Sequence, residues 1–117
     1  MNLQMEMEHH RQVLIVRFSG ELDHHTADHV RMKLDEAILT KQTDHIVLSL
    51  KNLLFMDSSG IGVILGRYKL IKSKGGKMAV CDATPPVYRL LEMSGMLKIM
   101  PVYESESHAL TGLEVVS

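Results

Sequence analysis

A short polar stretch near the middle of the chain carries the side chains best suited to chemistry. Asp57, Ser58, Ser59 and Gly60 directly follow an apolar run that ends at Met56. A serine hydroxyl in such a place serves as a phosphoryl acceptor, as a nucleophile or as the cap of a helix. Local chemistry favours the cap, in which Asp57 or Ser58 accepts a hydrogen bond from the first free N–H groups of a helix. A capping serine remains open to modification.

Two glycines inside the following helical pattern are unusual. Gly62 and Gly66 follow Ser58 at steps of four residues, so the three share one face of the predicted helix. Each interior glycine costs a helix about 0.8–1 kcal/mol relative to alanine. Either another element of the fold packs closely against this strip, or the strip receives a partner.

Two other kinds of chemistry use a serine or an aspartate in such a position. A nucleophilic serine hydrolase would show the G-x-S-x-G pattern and an activating base, and neither is present at Ser58. A receiver domain would carry its phosphate on Asp57, at the end of a strand. It would also need an acidic pair after the first strands to hold magnesium, whereas Glu21 and Asp23 are separated by Leu22. The receiver remains the alternative.

Three histidines lie near the predicted start of the first helix. His25 and His29 have the i, i+4 spacing of metal ligands, and His24 is adjacent. A zinc site needs further ligands that the neighbouring sequence does not supply. We therefore predict no metal or cofactor, and expect exposed histidines that contact a partner at the rim of its interface, beside Asp23.

The elements that position these residues follow from hydrophobic periodicity. Alternating or continuous apolar runs predict strands, and i, i+3, i+4 spacing predicts helices. Strands are predicted over residues 3–8, 13–18, 45–50, 77–81 and 97–102. Helices are predicted to begin at Asp23 or Thr26, at Ser59, at Pro85, and at Ser105 or Ser107. The order β-β-α-β-α-β-α-β-α predicts an α/β fold with a mixed sheet, parallel except for the first hairpin.

Composition limits the class of protein. The 117 residues suit one domain spanning 1–117, and the net charge of −1 gives no general attraction to nucleic acid or anionic lipid. Cys81 is the only cysteine, so no internal disulfide is possible. No apolar run approaches the roughly 20 residues needed to cross a membrane. We expect a cytoplasmic protein that binds neither nucleic acid nor membrane directly and is a monomer when free.

Two motifs together resemble those of a known family. The sequence GELD at residues 20–23 and the sequence MDSSG at residues 56–60 each follow a buried strand. At this spacing they resemble the STAS domain of bacterial anti-sigma-factor antagonists. The resemblance covers essentially the whole chain, including its size and element order. It is closest to the sporulation members, which oppose the anti-sigma factor of sigma F in spore-forming bacilli.

The resemblance implies a regulatory cycle without catalysis by this chain. In that family the unmodified protein binds an anti-sigma factor, which is also a serine kinase, and so frees the sigma factor. The kinase carries ATP and phosphorylates the serine after the motif aspartate, which is Ser58 here. A PP2C-type phosphatase removes the phosphate. The dipole and free N–H groups of the helix N-terminus are expected to accommodate the added charge.

The resemblance also implies roles for individual residues. Ser59 would support the acceptor, Asp57 would be a recognition or capping residue, and Asp23 would be a surface acid beside the same site. The residues expected to contact the partner are Asp23, Asp57, Ser58, Ser59, Gly60, Gly62 and Gly66.

Overall fold

The strands form one sheet in which sequence order and spatial order coincide. The structure is a computed structural model that describes residues 3–40 and 43–113. Its strands are β1 (Leu3–His10), β2 (Val13–Leu22), β3 (His45–Met56), β4 (Met78–Cys81) and β5 (Val102–Tyr103). The strand order is β1-β2-β3-β4-β5, with β1 antiparallel to β2 and every other pair parallel. The predicted mixed α/β sheet is confirmed.

Four α-helices connect or follow the strands. They are α1 (Ala27–Thr40), α2 (Ser58–Ser73), α3 (Pro85–Met93) and α4 (Glu106–Gly112), with one 3₁₀ turn over Met96–Lys98. No helix within 3–40 and 43–113 is both long and apolar enough to cross a membrane.

The sheet buries side chains on both faces. Residues of β2 that alternate along the strand, such as Leu14 and Val16, pack with α1, α2 and α3 in the larger core. The intervening residues Val13 and Ile15 pack with Ala109 of α4 in a smaller core. Because both faces are covered, the first four residues of β2 form a continuous apolar run rather than an alternating one.

The prediction of a strand over 97–102 is wrong. The chain makes a 3₁₀ turn at Met96–Lys98, and only Val102 and Tyr103 pair with β4. Gly95 has a φ of +83°, which starts the turn in a conformation that favours glycine. Met96 and Met100 are both buried, and their spacing of four is typical of a helical turn rather than a strand.

The third strand is longer than predicted. The sequence predicts that β3 ends at Leu50, but the strand continues to Met56, and its pairing with β2 resumes after each of two register shifts. β2 itself continues past Gly20, whose φ of +114° accommodates a bend that other residues resist. The two strands therefore end side by side, and this brings the two sequence motifs together.

Candidate functional site

The two motifs meet at the carboxyl ends of β2 and β3. Leu22 pairs with Met56 in the last step of the parallel register. The backbone N–H of Asp57 donates to the carbonyl of Leu22 at 3.3 Å. Asp23 and Asp57 consequently begin neighbouring loops at one edge of the sheet. In open α/β sheets this edge is where ligands and partners engage.

Asp57 is the N-cap of α2, as local chemistry favoured. Its Oδ1 accepts hydrogen bonds from the backbone N–H groups of Ser59 at 2.8 Å and Gly60 at 3.3 Å. Its backbone is extended, with φ −117° and ψ −168°, which is the conformation of an N-cap residue. The Asp57 carboxylate therefore fixes where α2 begins.

Ser58 is the first residue of α2 and is exposed, whereas Ser59 is half-buried. Because Asp57 provides the cap, the Ser58 side chain is not required for that structural task. Of the two motif serines, Ser58 therefore presents its hydroxyl more openly to solvent.

Gly60, which was predicted to contact the partner, is buried in the structure. A Cβ built at Gly60 would lie 2.6 Å from Cγ of Met56 and 2.9 Å from the carbonyl oxygen of Leu22. These distances are shorter than side-chain carbons tolerate. Glycine at this position lets the start of α2 approach the ends of β2 and β3.

Gly62 and Gly66 behave differently from Gly60. A Cβ built at either position meets nothing within 4 Å beyond the neighbouring residues and the helix's own nearby backbone. No element of the described chain packs closely against them, so the intramolecular packing explanation for this strip is wrong. With exposed Ser58 they form one open strip along α2, which we call the glycine strip.

Asp23 is less exposed than a surface acid, which corrects that expectation. Only 9% of its surface is accessible. Its Oδ1 accepts hydrogen bonds from the backbone N–H groups of His25 at 2.9 Å and Thr26 at 3.1 Å. Burial raises the pKa of Asp23, but these bonds and one from the Thr26 hydroxyl outweigh burial, so its pKa lies below the ordinary value. Asp23 thus shapes the loop that leads into α1.

The histidines lie beside the start of α2. His24 Nδ1 is 3.8 Å from Oδ2 of Asp57, the carboxylate oxygen that does not cap the helix. The rings of His24 and His25 are in contact, with centroids 3.9 Å apart and ring planes tilted by 39°. Within residues 3–40 and 43–113, no group of three or more His, Cys, Asp or Glu residues is arranged to hold a metal ion.

An apolar groove beside the motif escaped the sequence analysis. It has a volume of about 300 Å³ and lies between the end of β3 and α3. Three of the side chains that line the groove are largely exposed: Leu54 at 79%, Phe55 at 50% and Met93 at 74%. Two adjacent apolar residues, Leu54 and Phe55, directly precede the motif and could have indicated the groove. The sequence analysis missed them because it ended the strand at Leu50, before these residues.

Comparison with known proteins identifies the fold family. The model of the STAS domain matches residues 4–109. The chain belongs to the STAS domain family. This STAS domain is 75% identical over 117 residues to the anti-sigma F factor antagonist of Paenibacillus polymyxa, and the match covers all of both chains. Within the family it falls among the anti-sigma factor antagonists.

Solved structures support the same assignment. The anti-sigma factor antagonist SpoIIAA in its unphosphorylated form superposes on this STAS domain with a TM-score of 0.85 at 29% identity, covering 97% of this chain and 99% of that one. The phosphorylated form of SpoIIAA, a Bacillus cell fate determinant, gives a TM-score of 0.76 at 29% identity, covering 94% and 99%.

Proposed function

We propose that the unphosphorylated chain binds an anti-sigma factor that is also a serine kinase, and thereby releases the sporulation sigma factor F. Phosphorylation of Ser58 by that kinase ends the interaction, and a PP2C-type phosphatase restores it. Support comes from the 75% identical anti-sigma F factor antagonist and from the existence of SpoIIAA in a phosphorylated form. The chain would act as a single cytoplasmic domain, monomeric when free, and not as an enzyme.

The observation that carries the proposal is the exposed Ser58 directly after the cap. Ser58 stands at the head of the glycine strip, on a helix whose start is already fixed by Asp57. A partner that packs against the strip would cover the Ser58 hydroxyl. The proposed contact surface consists of Ser58, Gly62 and Gly66, with Asp57 and Ser59 at its edge. Buried Gly60 lets α2 pack against the strand ends, and Asp23 stabilises the neighbouring loop.

The proposed modification transfers one phosphoryl group. The Ser58 Oγ attacks the γ-phosphorus of ATP held by the kinase, the bond to the β-phosphate oxygen breaks, and ADP leaves. The hydroxyl proton passes to a base of the kinase. The reverse change needs only water, which the phosphatase adds to release inorganic phosphate.

The charge of phosphoserine explains why binding would end. The phosphate adds about −1.5 to −2 charges at neutral pH. Placed against a surface shaped for a small neutral hydroxyl, beside the Asp57 carboxylate, it costs several kcal/mol. That corresponds to a loss of affinity on the order of 10²–10⁴-fold. The switch would be local, without rearrangement of the fold.

The alternative of a receiver domain is less well supported. The Asp57 carboxylate is engaged by two backbone N–H groups. A receiver aspartate instead needs an adjacent magnesium ion held by further acids, and the described residues contain no such group.

Phosphosite mapping after incubation with the cognate kinase and ATP tests the proposal. We expect one acid-stable phosphate on Ser58, weaker binding of the modified chain, and no label on Ser58→Ala, which should still bind the kinase. Ser59→Ala is the matched control and should remain a substrate. An acid-labile phosphate on Asp57, or full labelling of Ser58→Ala, would contradict the proposal.

A further inference from the structure

The start of α2 offers a phosphate on Ser58 fewer free backbone N–H donors than an uncapped helix N-terminus does. The N–H groups of Ser59 and Gly60 are committed to the Asp57 carboxylate, and that of Ile61 donates to the Asp57 carbonyl at 3.2 Å. The capping carboxylate is itself an anion. Three of the N–H groups that were expected to accommodate the phosphate are therefore already engaged by Asp57.

A phosphate in this position would consequently be stabilised by a cationic side chain from outside α2. The basic side chain nearest to the Asp57 carboxylate among the ion pairs of residues 3–40 and 43–113 is His24, whose Nδ1 lies 3.8 Å from Oδ2. Asp23 directly precedes His24 in the chain. Its carboxylate accepts hydrogen bonds from the backbone N–H groups of His25 and Thr26. The His25 ring lies against that of His24 in a tilted arrangement, with centroids 3.9 Å apart. The titratable groups shown in contact with the His24 ring are therefore Asp57 and His25, and Asp23 adjoins it in the chain.

The pairing of His24 with Asp57 is easily exchanged. The side chain of His24 is 67% exposed and that of Asp57 is 30% exposed. The separation of 3.8 Å is longer than a hydrogen bond. An exposed pair of this kind contributes little to the stability of the fold. A dianionic phosphate on the adjacent residue would compete successfully for the same imidazolium.

We propose that His24 is the counter-ion of phosphoserine 58. On phosphorylation the protonated imidazole leaves Asp57 and pairs with the phosphate oxygens. The inference rests on the proposed function only in taking Ser58 as the modified residue. Because histidine titrates near neutral pH, the pairing would make the modified state sensitive to pH in that range.

A titration of the phosphate tests this proposal without the kinase. Phosphoserine is installed at position 58 during translation by a suppressor tRNA, and its ³¹P signal is followed from about pH 5 to 8. We expect the second ionisation of the phosphate to occur at lower pH in the otherwise unchanged chain than in the His24→Gln variant, because the imidazolium favours the dianion. Added salt should reduce the difference, since both groups are exposed.

His10→Gln is the matched control. His10 is also exposed but lies at the hairpin end of β1, opposite Val13, whereas the site follows Leu22 at the other end of β2. The ten residues of β2 separate the two ends by about 30 Å, so the control should titrate like the unchanged chain.

Other outcomes overturn the assignment. An unchanged midpoint in His24→Gln would show that the imidazole does not face the phosphate. A shift in His25→Gln but not in His24→Gln would assign the cation to His25 and contradict the proposal. Failure of the natural kinase to label Ser58 would instead count against the proposed function. It would leave this titration, which uses installed phosphoserine, unaffected.

Discussion

Two aspartates at neighbouring strand ends perform the same local task. Asp57 holds two N–H groups at the start of α2, and Asp23 holds two in the loop before α1. Each carboxylate stabilises a chain reversal at the edge where the sheet meets its helices. The loop geometry around Ser58 therefore depends on charge as well as on packing.

At the scale of one residue, the lowered pKa of Asp23 predicts a pH dependence of folding. A carboxylate whose pKa is lower in the folded state stabilises that state above its ordinary value of 3.8. This contribution is lost as the pH falls through the lower pKa of the folded state. In Asp23→Asn we expect a lower free energy of unfolding at neutral pH, and a difference from the unchanged chain that shrinks in acid. Urea unfolding at several pH values measures it.

Asp44→Asn is the control for that experiment. Asp44 is exposed, and its substitution should change the free energy of unfolding little at any pH. A difference for Asp23→Asn that stayed constant down to strongly acidic pH would contradict an electrostatic role for Asp23.

At the scale of an element, α2 contains glycines with opposite functions. Gly60 is enclosed by Leu22 and Met56, whereas Gly62 and Gly66 face open space. The first is required by the fold. The other two carry the energetic cost of glycine in a helix without any compensation from packing inside the chain. An open helix face of this kind lets a partner approach the backbone closely.

Alanine substitutions separate these functions. Gly62→Ala and Gly66→Ala should each raise the free energy of unfolding, by up to about 1 kcal/mol, because alanine favours the helix. The same variants should bind the anti-sigma factor less tightly, because a methyl group now stands on the contact face. Gly60→Ala should lower the free energy of unfolding by about 1–3 kcal/mol through overcrowding.

Urea unfolding and titration calorimetry provide the two measurements. Binding that is unchanged in both Gly62→Ala and Gly66→Ala would exclude the glycine strip as the contact surface. The opposite signs expected for stability and binding make a general folding defect easy to recognise.

At the scale of the whole molecule, α4 closes the face of the sheet opposite α1–α3. Arg17 on β2 donates to both carboxylate oxygens of Glu106, at 2.6 and 2.9 Å. The bond from Arg17 lowers the pKa of Glu106 below its ordinary value, although burial opposes it. This pair holds α4 against the smaller core, which contains Cys81.

The reactivity of buried Cys81 reports how readily α4 and the smaller core open to solvent. Burial, with a further contribution from Asp82, raises the pKa of the Cys81 thiol to about 12. At about pH 8 the thiol is therefore protonated and has no access to solvent. We expect very slow reaction with a disulfide reagent in the native state, and rapid reaction in urea in parallel with unfolding.

A cysteine introduced at exposed Ser73 in a Cys81→Ala background is the control and should react at once. Fast labelling of Cys81 in the absence of urea would mean that α4 opens readily and that the smaller core is not a stable part of the fold.

Much of the fold and part of the site could be predicted from the sequence, because the relevant signals are local. The order of strands and helices follows from apolar periodicity, and the cap at Asp57 follows from residue type directly before a helical pattern. The strand predicted over 97–102 failed because Met96 and Met100 are buried by a turn that begins at Gly95. The end of β3 was misplaced because β2 supplies the pairing that extends it.

The sequence by itself determined the order of the strands and helices and that a serine follows a capping aspartate at the start of a helix. Only the tertiary structure decided which of those residues are open to a partner. Gly60, Gly62 and Gly66 are the same residue type on one helix. What distinguishes Gly60 is the close approach of Met56 and of Leu22, the second of which is far away in the chain. The contact of His24 with Asp57 likewise exists because two parallel strands end together. Burial and charge pairing depend on residues distant in sequence, and local patterns do not record them.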